Sequence, residues 1–599
     1  MIRVADYIAQ ALAKHGLKDV FLVTGGGAMH LNDAFGRNPD LTVTCFHHEQ
    51  ACAIAAESYF RQSGRLAAVN VTTGPGGLNT LTGIHGAWTD SLGLIVISGQ
   101  VKRETLVASA GPSGLRQLGD QEVDIVSVVR PITKYAALVE RPEDIRFHLE
   151  KALHLALAGR PGPVWIDVPS DIQGALVDPA TLAGFQPDPE PVPELALQIE
   201  SLLSLLRQAR RPVLLPGSGI RIAGVVEPFR QLAEALQIPV ATAFNAHDLL
   251  EDDHPCLVGR PGTVGDRAGN FAVQNADLVI VLGCRLNIRQ IGYNWDAWAP
   301  AAQKVMVDVD PLELAKPTLA IDLPIQADLR AFFEALQVQG LPEPRPEHAD
   351  YLAWCRARRE RYPVVLERHR AKGQPVNPYV LTEALFRHLP EGMTVVTGDG
   401  TACVATFQAA RLKAGQRLYT NSGCASMGYD LPAALGASLA SGRQPVVCLA
   451  GDGSLMMNLQ ELQTLVHQRL PILLVLFNNG GYHSIRQTQT AYFPDGLVGF
   501  DAATGVSFPD FGKVAAAFGL PHRLIRSHAD MDTTLAECLD TPWPMICEVL
   551  LDPAQPFEPK PSSRRLEDGR MVSAPLEDMF PFMDRAELAE NMLISDPLP

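Results

Sequence analysis

The stretch Val446–Tyr482, VVCLAGDGSLMMNLQELQTLVHQRLPILLVLFNNGGY, decides the fold. An apolar run ends in Gly451-Asp452-Gly453, an amphipathic segment follows, and a second apolar run, Ile472–Phe477, ends in Asn478-Asn479. This pattern predicts strand, crossover helix, strand. Two parallel strands joined by one crossover deliver their polar ends to the same sheet edge. A carboxylate and an amide oxygen then meet where open α/β sheets bind ligands, and such hard donors suit Mg²⁺ held against a ligand phosphate.

The remaining sequence extends that pattern. At 599 residues the chain is too long for one core. Its hydrophobic fraction of 47% and charged fraction of 19% are those of an ordinary globular protein. A formal charge of −16 argues against nucleic acid or an anionic membrane as the main partner. Ten cysteines without CxxC spacing suggest neither a zinc site nor a disulfide framework and fit a reducing cytoplasm. MIRVADYIAQALAKHG reads as an amphipathic helix, not a signal peptide, and no apolar run is long enough to span a bilayer.

Three α/β segments are expected, each an open parallel sheet. The first covers 1–180, with DVFLVTGGG, LTVTCFHHEQ, LAAVNVTTGPGG, LGLIVISGQ and PVWIDVPSD at strand ends. A Pro-rich linker, Gln186 to Pro193, precedes the second at 196–340, with strands RPVLLPGSG, DLVIVLGCR and KVMVDVD. Leu341 to Pro375 reads as a connector, 376–555 as the third segment and 556–599 as a C-terminal tail.

The spacing from GDG through twenty-four residues to NN resembles the cofactor motif of thiamine diphosphate (ThDP) enzymes. The match to the acetolactate synthase family runs over nearly the whole chain. It is carried also by VADYIAQALAKHGLKDVFLVTGGGA, HHEQACAIAAESYFRQSG, TTGPGGLNTLTGIHGAWTDSLGLIVISGQ, GRPGPVWIDVPSD and SMGYDLPAALGA. The resemblance implies pyrimidine-binding, middle and diphosphate-binding domains and a carboligase that decarboxylates a 2-oxo acid, with pyruvate the usual donor. The ThDP thiazolium supports that step by stabilising the charge left when carbon dioxide departs. By the same resemblance Glu49 activates the aminopyrimidine ring, while Asp452, the Asn479 side chain and the Gly481 carbonyl hold Mg²⁺. Gly453, Ser454, Gly400 and Thr401 would meet the diphosphate, Met427 would wedge the cofactor bent, and the Ala425 carbonyl would receive the ring amine. The Gln-His pair usual after Gly400 is Thr401-Ala402 here, which puts phosphate contacts at that turn in question.

The family carries FAD in its middle domain without redox use, and Gly217, Gly219, Arg285, Arg289, Asp308 and Asp328 match its positions. The family's Met-His pair near the flavin ring is Arg260-Pro261. For the substrate pocket the resemblance points to Gly27, His85, Gln121, Asp120, Ser484 and Thr488. Asp120, Ser484 and Thr488 replace a phenylalanine, a methionine and a tryptophan, so a bulkier or more polar ketone or aldehyde acceptor is expected in place of a second pyruvate. Ordinary acetolactate synthase chemistry, a flavin-linked 2-oxo acid oxidase or decarboxylase, and a non-catalytic scaffold are the alternatives. Because Glu49 of one subunit typically reaches ThDP held by another in this superfamily, a homodimer or homotetramer is expected. The tail is expected to close over the cofactor as a lid or to serve as a surface clasp.

Overall fold

The computed structural model describes residues 1–594 apart from 113, 190–193, 372, 374, 566, 567 and 569. The end of the expected linker at 190–193 and the last residues of the tail therefore lie outside the described residues. Three six-stranded sheets, each wholly parallel, follow one another along the chain. In space the first runs Thr42–Cys45, Asp19–Leu22, Ala68–Val71, Leu94–Gln100, Pro163–Pro169, Tyr135–Leu138. The second runs Leu257–Gly259, Val240–Ala241, Pro212–Pro216, Leu278–Leu282, Gln303–Asp308, Leu323–Gln326. The third runs Arg417–Tyr419, Thr394–Thr397, Val446–Gly451, Ile472–Asn478, Met545–Leu550, His522–Ile525. Helices cover both faces, which is why Leu94–Gln100 and Pro212–Pro216 read as continuous apolar runs buried along their whole length.

In the third sheet Val446–Gly451 and Ile472–Asn478 pair directly, from Val446 beside Ile472 to Gly451 beside Phe477. The crossover between them is two helices, Asp452–Leu455 and Glu461–Gln468, where the sequence pattern suggested one. Asn458 explains the break: its Nδ2 donates to the Gly428 carbonyl at 2.7 Å and to Gln50 Oε1 at 3.0 Å, pinning the turn to other elements. The expected connector at 341–375 is also more ordered than its composition suggested, since Pro346–Arg361 is a helix that buries His348, Tyr351 and Cys355.

The first and third domains are joined by helix Glu49–Ser63 lying on helix Asp430–Ala440. Small residues make this approach close: a Cβ built on Gly436 would stand 2.1 Å from the Ala55 carbonyl oxygen. Beside it sits a buried charge cluster. Arg61 pairs with Glu57 and, at 2.8 Å, with Asp90, all with side chains no more than 7% exposed. Tyr429 donates to Glu57 at 2.8 Å and Asp90 accepts the Gly423 amide at 3.0 Å, so the cluster ties down both ends of the loop 423–429.

The tail is anchored along its length, at Glu558 by His369 and Tyr379 among other places. Gln487, on helix His483–Tyr492, accepts the Phe557 amide at 3.3 Å. Further on, Leu576 is buried in the middle-domain core, Gln274 donates to Glu577 at 2.6 Å, and Asn275 donates to the Asn591 carbonyl at 2.9 Å. Residues 576–591 thus pack on the middle domain.

Gly436→Val should separate the two packed helices and lower the thermal midpoint, at a cost of about 1–3 kcal/mol typical of overpacking, as calorimetry can measure. Gly436→Ala should show a smaller loss of the same sign.

Candidate active site

Every predicted polar site residue of the first domain except His85 lies in a turn or helix start beyond the carboxyl ends of its strands. Glu49 begins its helix just after strand Thr42–Cys45, and Asn79 Nδ2 donates to its Oε2 at 2.9 Å. The Gly27 amide donates to Thr72 Oγ1 at 3.0 Å, and a Cβ at Gly27 would stand 2.0 Å from Thr73 Oγ1, so this turn requires glycine. Gln121 has a left-handed backbone, φ 65°, with its carbonyl 2.3 Å from where a Cβ on Gly74 would be. Asp120 and His85 are exposed, His85 on helix Leu81–Asp90. Asn79 was not singled out from the sequence, although it stands within the quoted GGLNT segment.

The third domain builds the other set. Asp452 is 1% exposed; its Oδ1 accepts the Gly453 amide at 2.8 Å and its Oδ2 the Gly481 amide at 2.9 Å. Burial pushes its carboxyl up to about 6, against the opposing pull of those amides and of the Arg486 charge. Asn479 donates from Nδ2 to Thr401 Oγ1 at 2.9 Å, while its Oδ1 is buried with no hydrogen-bond partner. Gly453 has no room for a side chain, since a Cβ would meet the Tyr482 ring at 2.2 Å. Ser454 Oγ accepts the Gly428 amide at 2.8 Å. Ala425 is held left-handed at φ 52°, a strain that costs on the order of 1–3 kcal/mol in a non-glycine residue, and Met427 two residues on is half-buried. Gly400, φ 82°, turns the chain into helix Thr401–Ala409. Ser484 is half-buried and its carbonyl accepts the Thr488 hydroxyl, Thr488 itself being exposed on the same helix.

The two sets are not joined. Among the described residues the ties nearest Glu49 run from its neighbours: the His47 amide donates to Glu461 Oε1 at 3.1 Å, and Gln50 meets Asn458. No trio of His, Cys, Asp or Glu side chains among them converges to hold a metal. The fit for a hard cation therefore rests on the Asp452 carboxylate and the unpaired Asn479 oxygen, with the Gly481 carbonyl beside them.

In the middle domain a cavity of about 340 Å³ is lined by Gly217, Gly219, Arg285, Asp308 and Asp328, together with Phe244, Asn245 and Ser422. Gly217 and Gly219 permit this shape, because Cβ atoms there would stand 2.3 Å and 2.7 Å from Gly283 atoms. Burial raises the Asp308 carboxyl to about 6. Arg289 is one residue removed from the cavity: its guanidinium stacks over the ring of the lining residue Phe244 at 5.1 Å and its charge acts on Asp399. Four residues after Arg285 and following the Asn287-capped turn, it faces the third domain. Arg260 likewise is an interdomain tie, donating to Asp252 at 2.8 Å and to the Phe407 carbonyl at 3.2 Å.

Three parallel sheets with polar residues gathered at their carboxyl edges define a multidomain α/β protein. Family models match in the same order: the thiamine pyrophosphate enzyme N-terminal TPP binding domain at residues 2–128, the central domain at 199–336, and the C-terminal TPP binding domain at 398–549. The chain belongs to the thiamine diphosphate enzyme family. It is 32% identical to the acetolactate synthase isozyme 1 large subunit of Escherichia coli, over 93% of this chain and 95% of that one. It is 31% identical to a probable acetolactate synthase large subunit of Methanocaldococcus jannaschii, over 94% of each. A cyanobacterial relative, the acetolactate synthase large subunit of Parasynechococcus marenigrum, is 33% identical over 91% of this chain and 87% of its own length. The protein is a ThDP-dependent, carbon–carbon bond-forming enzyme that resembles acetolactate synthase. No helix among the described residues is long and apolar enough to cross a membrane.

Because burial holds the Asp452 carboxyl above its ordinary 3.8, the folded apo-protein keeps a proton that the unfolded chain has lost. Stability from this group accordingly declines as pH rises from about 4 to about 6 and stays low above that. Asp452→Asn should raise the thermal midpoint of the apo-protein at pH 7.5 and abolish the further rise that Mg²⁺ with ThDP gives the wild type.

Proposed function

We propose that this enzyme decarboxylates a 2-oxo acid, with pyruvate the expected donor, and transfers the acyl unit to a ketone or aldehyde acceptor bulkier or more polar than a second pyruvate. The observation that carries the reading is the pairing of buried Asp452 with the unpaired Asn479 oxygen at one sheet edge, beside a helix that presents Ser484 and Thr488. Asp452, Asn479 and the Gly481 carbonyl would hold Mg²⁺, and Ser454 would meet the diphosphate beside Gly453, whose missing side chain leaves the approach open. Bound ThDP supplies the electron sink for decarboxylation. Glu49, oriented by Asn79, would hold or release a proton at the aminopyrimidine ring, and Ala425 would take up the ring amine through its carbonyl. Gln121 and the hydroxyls of Ser484 and Thr488 offer hydrogen bonds to an oxygenated acceptor. An apolar wall at those positions would favour a small acceptor instead.

Two copies of the chain would complete the centre, Glu49 of one facing the ring of the cofactor whose diphosphate Asp452 of the other would hold through Mg²⁺. This accounts for the exposed apolar residues beside each set: Met29 and Leu78 in the first domain, Met456, Met457 and Ile485 in the third. The middle-domain cavity suits FAD, with Gly217 and Gly219 at the diphosphate, Arg285 beside it, and Asp308 and Asp328 toward the ribose and adenine. The free cysteines suit a cytoplasmic location.

Incubation with pyruvate, Mg²⁺ and ThDP, with and without a panel of hydroxylated ketones and aldehydes, tests the acceptor. The cross-product should dominate, and efficient coupling of pyruvate to itself, unchanged by added ketones, would defeat the reading. Glu49→Gln should lower turnover by about 10²–10⁴-fold, the usual worth of a positioned acid-base group. Gently purified protein should be yellow and release one flavin per chain on denaturation.

A further inference from the structure

The side-chain amide of Asn479 has two ends of nearly equal size, and a hard cation accepts only one of them, the oxygen. In this structure the ends are distinguished by a neighbour. Nδ2 donates to Thr401 Oγ1 at 2.9 Å, and Oδ1 is left buried without a hydrogen-bond partner. Thr401 is only 5% exposed and opens helix Thr401–Ala409, directly after the positive-φ turn at Gly400. It comes from the end of strand Thr394–Thr397, separated from the strand of Asn479 by Val446–Gly451, whose own end supplies Asp452. Three strand ends thus place an orienting hydroxyl, a carboxylate and an amide side by side.

We propose that Thr401 is a positioning residue for the metal: its hydroxyl holds the NH₂ end of the Asn479 amide and fixes the side chain so that the oxygen left without a partner faces Mg²⁺. This rests on the metal reading above and gives the Thr401-Ala402 departure from the family's Gln-His pair a task distinct from phosphate contact. Without that neighbour the NH₂ end loses its acceptor and the side chain its restraint, so the effect falls on metal affinity.

The test is a Mg²⁺ titration of the apo-enzyme at saturating ThDP, followed by tryptophan fluorescence and, separately, by turnover. Thr401→Val, and Thr401→Ala as a second variant, should raise the half-saturating Mg²⁺ concentration by about 10–100-fold, as loss of a ligand-orienting partner does, with a smaller effect on kcat. Thr401→Ser should restore wild-type affinity to within about twofold by the same reasoning. Wild-type Mg²⁺ affinity in the folded Val and Ala variants, or a loss that Thr401→Ser does not repair, would overturn the inference. Asp452→Asn is the control: if it too leaves the Mg²⁺ dependence unchanged, the metal assignment fails, whereas its loss beside an unchanged Thr401→Val defeats only the role of Thr401.

Discussion

The chemistry of this protein depends on three neighbouring parallel strands ending in register. Val446–Gly451 lies between Thr394–Thr397 and Ile472–Asn478, so Asp452, Thr401 and Asn479 emerge at one edge without any long-range search by flexible loops. Backbone amides then do what side chains alone do not. The Gly453 and Gly481 N–H groups hold both oxygens of a buried carboxylate that would otherwise stay protonated near neutrality. The cost of burying Asp452 is therefore offset partly by fixed dipoles, and a cation at this edge would offset the remainder.

A second constraint sets where the activating group points. Helix Glu49–Ser63 is locked onto helix Asp430–Ala440 by a glycine contact and by the Arg61, Glu57 and Asp90 cluster. That contact fixes the start of the Glu49 helix against the turn at Asn458, and the Glu49 carboxylate is left with Asn79 of its own domain. The same cluster steadies the loop that carries Ala425 and Met427. One rigid interface thus orients both the start of the Glu49 helix and the loop 423–429.

Much of this was legible in the sequence, for a physical reason. Buried parallel strands are continuous apolar runs, and their ends carry Gly, Asp and Asn, so the three sheets and the Asp452–Asn479 edge could be read from pattern and spacing. Side-chain direction could not. Arg285 and Arg289 are four residues apart, yet one lines the middle-domain cavity directly and the other stacks on Phe244 of its lining, because a short capped turn lies between them. The broken crossover followed from a long-range bond of Asn458 to Gly428, which no local propensity records. The tail's docking on the middle domain depends on partners some 300 residues away, such as Asn275 with Asn591.

In the proposed centre Glu49 and the metal ligands come from different copies of the chain. Co-expression of Glu49→Gln with Asp452→Asn, each inactive alone, tests this most directly. In a mixed dimer one centre would combine an intact Glu49 with an intact Asp452 and the other would carry both changes, so random mixing should restore about a quarter of wild-type turnover. A mixed population no more active than either variant alone would contradict the account and place both groups of a working centre in a single chain.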